Sequence, residues 1–191
     1  NWSGWNFSGL ANACDYLFIM GYAFTGSWST KTGGTAPLYG GTYNISNTIN
    51  IQYASVVSNN PEKLILGVPY YGEKWEAEDS LPHSSVVDYI SSTRFSNDVI
   101  NANNYCLIWA NDEKGPWYRY KSDTTWIQIW FDNDSSLGLK YSLAQSKNLR
   151  GIGMWAVGYD GSRTELWNEI QKRFYPVVSV EEENNNLPTG F

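Results

Sequence analysis

The sequence predicts an α/β fold, part of a βα barrel that carries a small inserted α+β subdomain. Three observations carry that prediction. Three near-continuous apolar runs suit parallel strands covered on both faces rather than half-exposed antiparallel ones. Helical periodicity fills the chain between them, as parallel strands require. A block of alternating polar and apolar residues interrupts the order before the third run.

The first run is "YLFIMGY" (Tyr16 to Tyr22), the second "KLILGVPYYG" (Lys63 to Gly72) and the third "GIGMWAV" (Gly151 to Val157). Between the first two, Ile45, Ile49, Tyr53 and Val56 recur on one helical face, and Pro61 stops the helix. The interrupting block, Glu73 to Phe131, opens with a predicted short helical piece around "SVVDYIS". It continues as antiparallel strands in "YCLIWAN", "PWYRYKS" and "TWIQIWF", with turns at Gly115-Pro116 and Ser122-Asp123. A helix follows in which capping Asp and Ser residues precede Leu137, Tyr141 and Ala144 on one face. After the third run, Ser162 and Glu165 predict a capping box for a helix bearing Leu166, Ile170 and Phe174. The domain is therefore assigned to residues 1–175, with the insertion at 73–131. Residues 176–191, with a charge run and an Asn run but no periodicity, are read as a linker or tail.

Composition narrows the partners. The formal charge of -6, with no Lys/Arg cluster, excludes a phosphate-binding surface, so no nucleic acid is expected. No apolar run approaches the ~20 residues that span a bilayer, so no membrane span is expected. The one histidine, His83, and two separated cysteines, Cys14 and Cys106, do not assemble an ordinary metal site, and no cofactor is implied. Both cysteines lie in apolar, strand-like contexts and are read as free buried thiols. The excess is aromatic: 10 Trp and 14 Tyr in a chain whose charged fraction is 17%, more rings than a core of this size needs. Open sheet edges on three strands would be protected by self-association against a second copy.

In a βα barrel the chemistry lies at the C-terminal ends of the strands. Those ends carry Met20, Tyr22 and Ala23, then Tyr70, Tyr71 and Glu73, then Trp155. Indole faces and phenol hydroxyls of this kind grip a sugar ring. The same residues would also fill a barrel core, and the residue pattern leaves both readings open. Glu73 is read as a solvated loop carboxylate.

The motifs at these ends resemble those of family 18 glycoside hydrolases, the chitinase family. "DYLFIMGYAF" is similar to the sixth-strand Met-x-Tyr-Asp, "EKLILGVPYYG" to the seventh-strand Leu-Gly-Val-Pro-Phe-Tyr-Gly, and "SLGLKYSLAQSKNLRGIGMWAVGYDG" to the last helix, eighth strand and following turn. The resemblance covers about Asn6 to Tyr175 and implies the C-terminal part of a (β/α)8 TIM barrel. It implies a hydrolase acting on β-linked N-acetylglucosamine polymers, of chitin or peptidoglycan type, by a substrate-assisted route. Tyr22 would bond the acetamido oxygen that attacks the anomeric carbon, Trp155 would lie under the sugar, Met20 would flank it and Tyr71 would bond sugar or acetamide. Trp28, in the loop after the sixth strand, would stack an adjacent sugar or pack its own loop.

Three departures accompany the resemblance. The Asp-x-x-Asp-x-Asp-x-Glu signature that carries the family's acid occurs nowhere in the 191 residues, so this chain, read as the C-terminal portion of a larger protein, is expected to be inactive alone. Ala23 stands in place of the aspartate after the tyrosine, and Glu73 in place of a common arginine, which leaves as alternatives a noncatalytic sugar-binding relative or a self-associating interaction module. The end "NNNLPTGF" is similar to linkers before sorting domains of secreted Bacteroidetes proteins, which implies a secreted or cell-surface location.

Overall fold

The computed structural model describes residues 4–175; the tail at 176–191 lies outside the described residues. Helix α1 (Phe7–Ala13) starts where the Asn6 side chain accepts the Gly9 N–H at 2.9 Å. Strand β1 (Leu17–Met20) follows, and then a long loop leads to a helical stretch: α2 (Ile45–Asn47), a π turn (Thr48–Gln52) and α3 (Ala54–Asn59). The predicted face Ile45, Ile49, Tyr53 and Val56 is buried. Strand β2 (Leu64–Pro69) lies between β1 and β8 (Gly151–Trp155), giving a parallel three-stranded sheet ordered β1-β2-β8. Helices α5 (Asp134–Ser146) and α6 (Glu165–Phe174) flank β8 in the chain.

One face of this sheet is covered and the other is open among the described residues. Ile19, Leu64, Leu66 and Val68 are buried in one cluster with Ile49, Leu137, Tyr141 and Leu166. On the other face Phe18, Met20 and Trp155 are 48%, 57% and 57% exposed. The prediction of strands covered on both faces therefore holds for one face only. Gly67 and Gly153 let the Phe18 ring lie across the sheet, since a Cβ at either would sit 2.4 Å from that ring.

The insertion is a five-stranded antiparallel sheet ordered β4-β3-β7-β6-β5, built from β3 (Tyr71–Ala77), β4 (Val86–Arg94), β5 (Ile108–Ala110), β6 (Gly115–Ser122) and β7 (Thr125–Trp130). It departs from expectation in several places. The segment "SVVDYIS" is strand β4, and the subdomain's helix is α4 (Phe95–Tyr105). Register shifts between Lys74 and Trp75 and between Glu76 and Ala77 break the two-residue alternation that would have marked a strand. Gly115 and Pro116 pair with Ala110 and Trp109 inside the ladder, and the turn is Asn111–Lys114. The first strand starts at Tyr71, two residues before the predicted boundary.

Three further expectations are corrected. Cys14 and Cys106 are free but exposed, because each terminates a helix instead of sitting in a strand. The Ser162–Glu165 capping box does not form: the N-cap of α6 is Thr164, with no side-chain cap, and Glu165 pairs with Arg163. Helix α5 carries the full reciprocal cap instead, between Asn133 and Ser136. The surplus tryptophan is partly core: Trp75, Trp117 and Trp130 are buried, the last two stacked at 4.9 Å.

Candidate functional site

The sheet ends converge through backbone contacts. The Gly21 N–H donates to the Gly67 carbonyl at 3.0 Å, which holds the chain leaving β1 against β2. A Cβ at Gly21 would meet that carbonyl oxygen at 2.6 Å, so the approach requires glycine. The Tyr70 N–H donates to the Trp155 carbonyl at 2.8 Å and ties β8 to the chain leaving β2. Trp155 is opposite Pro69 in register, and Met20 is opposite Gly67, so Met20 and Trp155 share the open face.

Tyr22 and Tyr71 follow β1 and β2 at the same end of the sheet. Their ring centroids lie 6.2 Å apart at 75°, edge to face. Burial pushes the Tyr71 hydroxyl up to about 12, opposed by the Thr35 hydroxyl and assisted by the Glu73, Tyr22 and Asp132 charges. Burial also raises Tyr22. Both phenols therefore stay protonated and able to donate. The Trp155 indole is more than half exposed, on the same open sheet face as Phe18 and Met20. Trp28 is not brought into this group: 65% exposed, its ring packs on Gly26 of its own loop.

Glu73 contradicts the solvated-loop reading. It lies on β3, is 5% exposed, and its Oε2 accepts the Tyr89 hydroxyl at 2.9 Å and the Ser92 hydroxyl at 3.1 Å. Burial raises its carboxyl, and those two donors oppose the rise. The other carboxylate acting on Tyr71, Asp132, is tied to the buried Lys140 ammonium and accepts Ser136 Oγ at 2.6 Å. Neither carboxyl is free to serve as a proton donor to a bound sugar.

Two contributors had little or no signal in the sequence. Thr35, one of many loop hydroxyls, accepts the Ala23 N–H through Oγ1 at 3.2 Å and the Phe24 N–H through its carbonyl at 2.9 Å, so it fixes the exit from β1. Ala23 itself has φ 59°. Arg94 lies with its guanidinium 5.0 Å from the Tyr159 ring centroid and clamps the turn after Trp155 to β4. His83 stays outside the site: it bonds Asp112 at 2.8 Å and the Thr32 carbonyl at 3.2 Å and packs on Trp130. Among the described residues no group of three metal-ligating side chains occurs.

A parallel βα sheet with an antiparallel insertion before its last strand, and with tyrosines and an open tryptophan at the strand ends, defines part of a βα barrel. The model for glycosyl hydrolases family 18 matches residues 1–160, and the chain belongs to that family. Human di-N-acetylchitobiase is 31% identical over 200 residues, covering 88% of this chain and 49% of that protein. A class V chitinase of Lotus japonicus is 32% identical over 155 residues, 76% of this chain and 38% of the other. In fold, a family 18 chitinase of Cycas revoluta, solved with (GlcNAc)3, superposes with a TM-score of 0.78 at 24% identity, over 89% of this chain and 50% of that one. The fold is thus that of part of the family's TIM barrel, and the chain spans half or less of the length of these relatives.

Proposed function

We propose that the protein to which this chain belongs hydrolyses β-linked N-acetylglucosamine polymers by the substrate-assisted route, with this chain supplying the floor and one wall of the sugar site. The carrying observation is the pairing of protonated Tyr22 and Tyr71 at the sheet end where Trp155 closes the neighbouring strand. The sugar stacks on the indole, and Tyr22 donates to the acetamido oxygen and holds it in line with the anomeric carbon. That oxygen forms the new bond as the glycosidic bond breaks, and the leaving oxygen takes a proton from a glutamic acid absent from these 191 residues. Water then opens the cyclic intermediate. The names of the relatives, a chitobiase and chitinases, support the polymer class.

A second reading is favoured by one observation. Ala23 puts a methyl where the family usually places a carboxylate beside the tyrosine, and this fits a relative that binds without cutting. The secreted or cell-surface location is likewise a proposal, supported by the sequence of residues 184–191 alone.

Calorimetric titration of the chain with N-acetylglucosamine oligomers tests the site. Binding that Trp155→Ala weakens by about 1 kcal/mol or more, with no release of reducing ends, is the expected result. An absence of binding removes the sugar-site reading, and release of reducing ends by the chain alone removes the assignment of the acid to another segment.

A further inference from the structure

We infer that the insertion subdomain holds a second carbohydrate-binding site, taking a neutral sugar of one or two rings in a polar cleft between α4, the β3–β4 edge and β6. The cleft has a volume of about 450 Å³, within the range of small-molecule sites. It is separate from the strand-end site by sheet geometry. Lys74 and Tyr118 both stand opposite Ile129 in register and therefore share one face of the sheet. Tyr71 and Glu73, one residue out of phase with Lys74, point to the other face.

The lining has the parts that grip a hydroxyl-rich ring. Tyr105 is 45% exposed and stacks on Tyr120 at 4.5 Å and nearly parallel to the buried Tyr118 at 6.1 Å, so those rings back it and its outer face is left for a ligand. Asn97 and Asn101, one helical turn apart on α4, both line the cleft, and the Asn101 amide reaches the Tyr118 hydroxyl. Beneath them Asp98, with no exposed surface, accepts the Thr93 hydroxyl at 2.5 Å and the Tyr118 hydroxyl at 3.3 Å.

The charges argue for a neutral ligand. Burial pushes Asp98 up to about 7, so it is about half neutral near neutral pH, and Lys74 lies over the Tyr120 ring at 5.7 Å. The Arg94 guanidinium lies over Tyr159 instead. One ammonium is too little for a phosphate, and amide and hydroxyl linings do not suit an apolar ligand.

The test is a titration of the isotope-labelled chain with N,N′-diacetylchitobiose, read by NMR amide shifts. The expected result is two independent groups of shifts: one at Lys74, Thr93, Asn97 and Asn101, the other at Tyr22, Tyr71 and Trp155. Asn101→Ala should weaken the first group about tenfold and leave the second unchanged, while Trp155→Ala does the reverse. Asn97→Ala, at an exposed helical position, repeats the test without disturbing the Tyr118 contact. Strand-end shifts with a silent cleft overturn this inference and leave the proposed function standing. Cleft shifts with silent strand ends do the opposite, and cleft shifts abolished by Trp155→Ala show a single site and overturn the inference.

Discussion

The parallel sheet and the inserted antiparallel sheet use the same residue type in opposite ways. Trp75, Trp117 and Trp130 in the insertion are 0–2% exposed, whereas Trp155, at the end of β8, is 57% exposed. The insertion closes its aromatics into a core of its own, and the parallel sheet covers only its outer face. Buried tryptophan is ordinary; Trp155 differs in lying on the open sheet face with Phe18 and Met20, at the strand end from which Tyr22 and Tyr71 follow. Aromatic content alone could not separate the two, because both regions contribute to it.

The sharpest break of the comparison is a pair of truncations. Trp130→Ala should cost about 3–5 kcal/mol of folding stability, because it removes a fully buried ring stacked on Trp117. Trp155→Ala should change stability by about 0.5 kcal/mol or less, yet cost about 1 kcal/mol or more of chito-oligosaccharide binding. Denaturant unfolding and calorimetry on the same two proteins measure both quantities. A large stability loss in Trp155→Ala would return that ring to the core.

The joint between the regions comes next. Asp132, just after β7, pairs with Lys140 on α5, and both side chains are buried. Asp132→Ala leaves an ammonium buried without its partner and should destabilise by about 3 kcal/mol. Lys140→Met in the same background should restore much of that loss, because it removes the stranded charge. Failure of the double variant to recover would show that Asp132 acts through Ser136 and the helix start.

Acid dependence should belong to the insertion. Burial first, and mainly, raises Asp98 and Glu113 to about 7 each; Glu113 also accepts the Gly34 N–H at 2.7 Å. Between pH 8 and about 5 the folded chain takes up protons on these two groups that the unfolded chain, with carboxyls near 4, does not. Stability therefore rises as pH falls through 7 and levels off toward the unfolded values, by on the order of 2 kcal/mol for each group. Thermal melts at pH 8 and 5.5 measure it. Asp98→Asn should flatten the slope, and an unchanged slope would place the dependence elsewhere.

The parts that the sequence makes legible are those fixed by local pattern. The runs read at 16–22, 63–72 and 151–157 contain the parallel strands 17–20, 64–69 and 151–155, because continuous apolar stretches mark such strands, and the helical faces follow their own period. Strand β4 is lost because bulges in its partner ladder shift the period. Glu73 is misread because its burial and its two donors come from residues 16 and 19 positions downstream, a pairing no local pattern contains. Thr35 carries no signal, since its role exists only where the β1 exit loop folds back on it. Tyr22, Tyr71 and Trp155 can be put at one end of the sheet in advance because barrel geometry says which strand ends meet.

The smallest effect contrasts two helix starts that flank β8. At α5, Asn133 Oδ1 accepts the Ser136 N–H and Ser136 Oγ accepts the Asn133 N–H, each at 3.0 Å, so two otherwise orphaned donors are satisfied. At α6, Thr164 makes no side-chain cap. Asn133→Ala should therefore cost about 1 kcal/mol and Thr164→Ala close to zero, although sequence rules rank both residues as good caps. The loss at Asn133 falls at the point where the chain passes from the insertion sheet to the last parallel strand. It should therefore appear as lowered global stability in denaturant, without fraying of α6 in amide exchange. Equal costs at the two positions would mean that α6 acquires a cap in solution, and that the joint owes its strength to the Asp132–Lys140 pair rather than to the helix start.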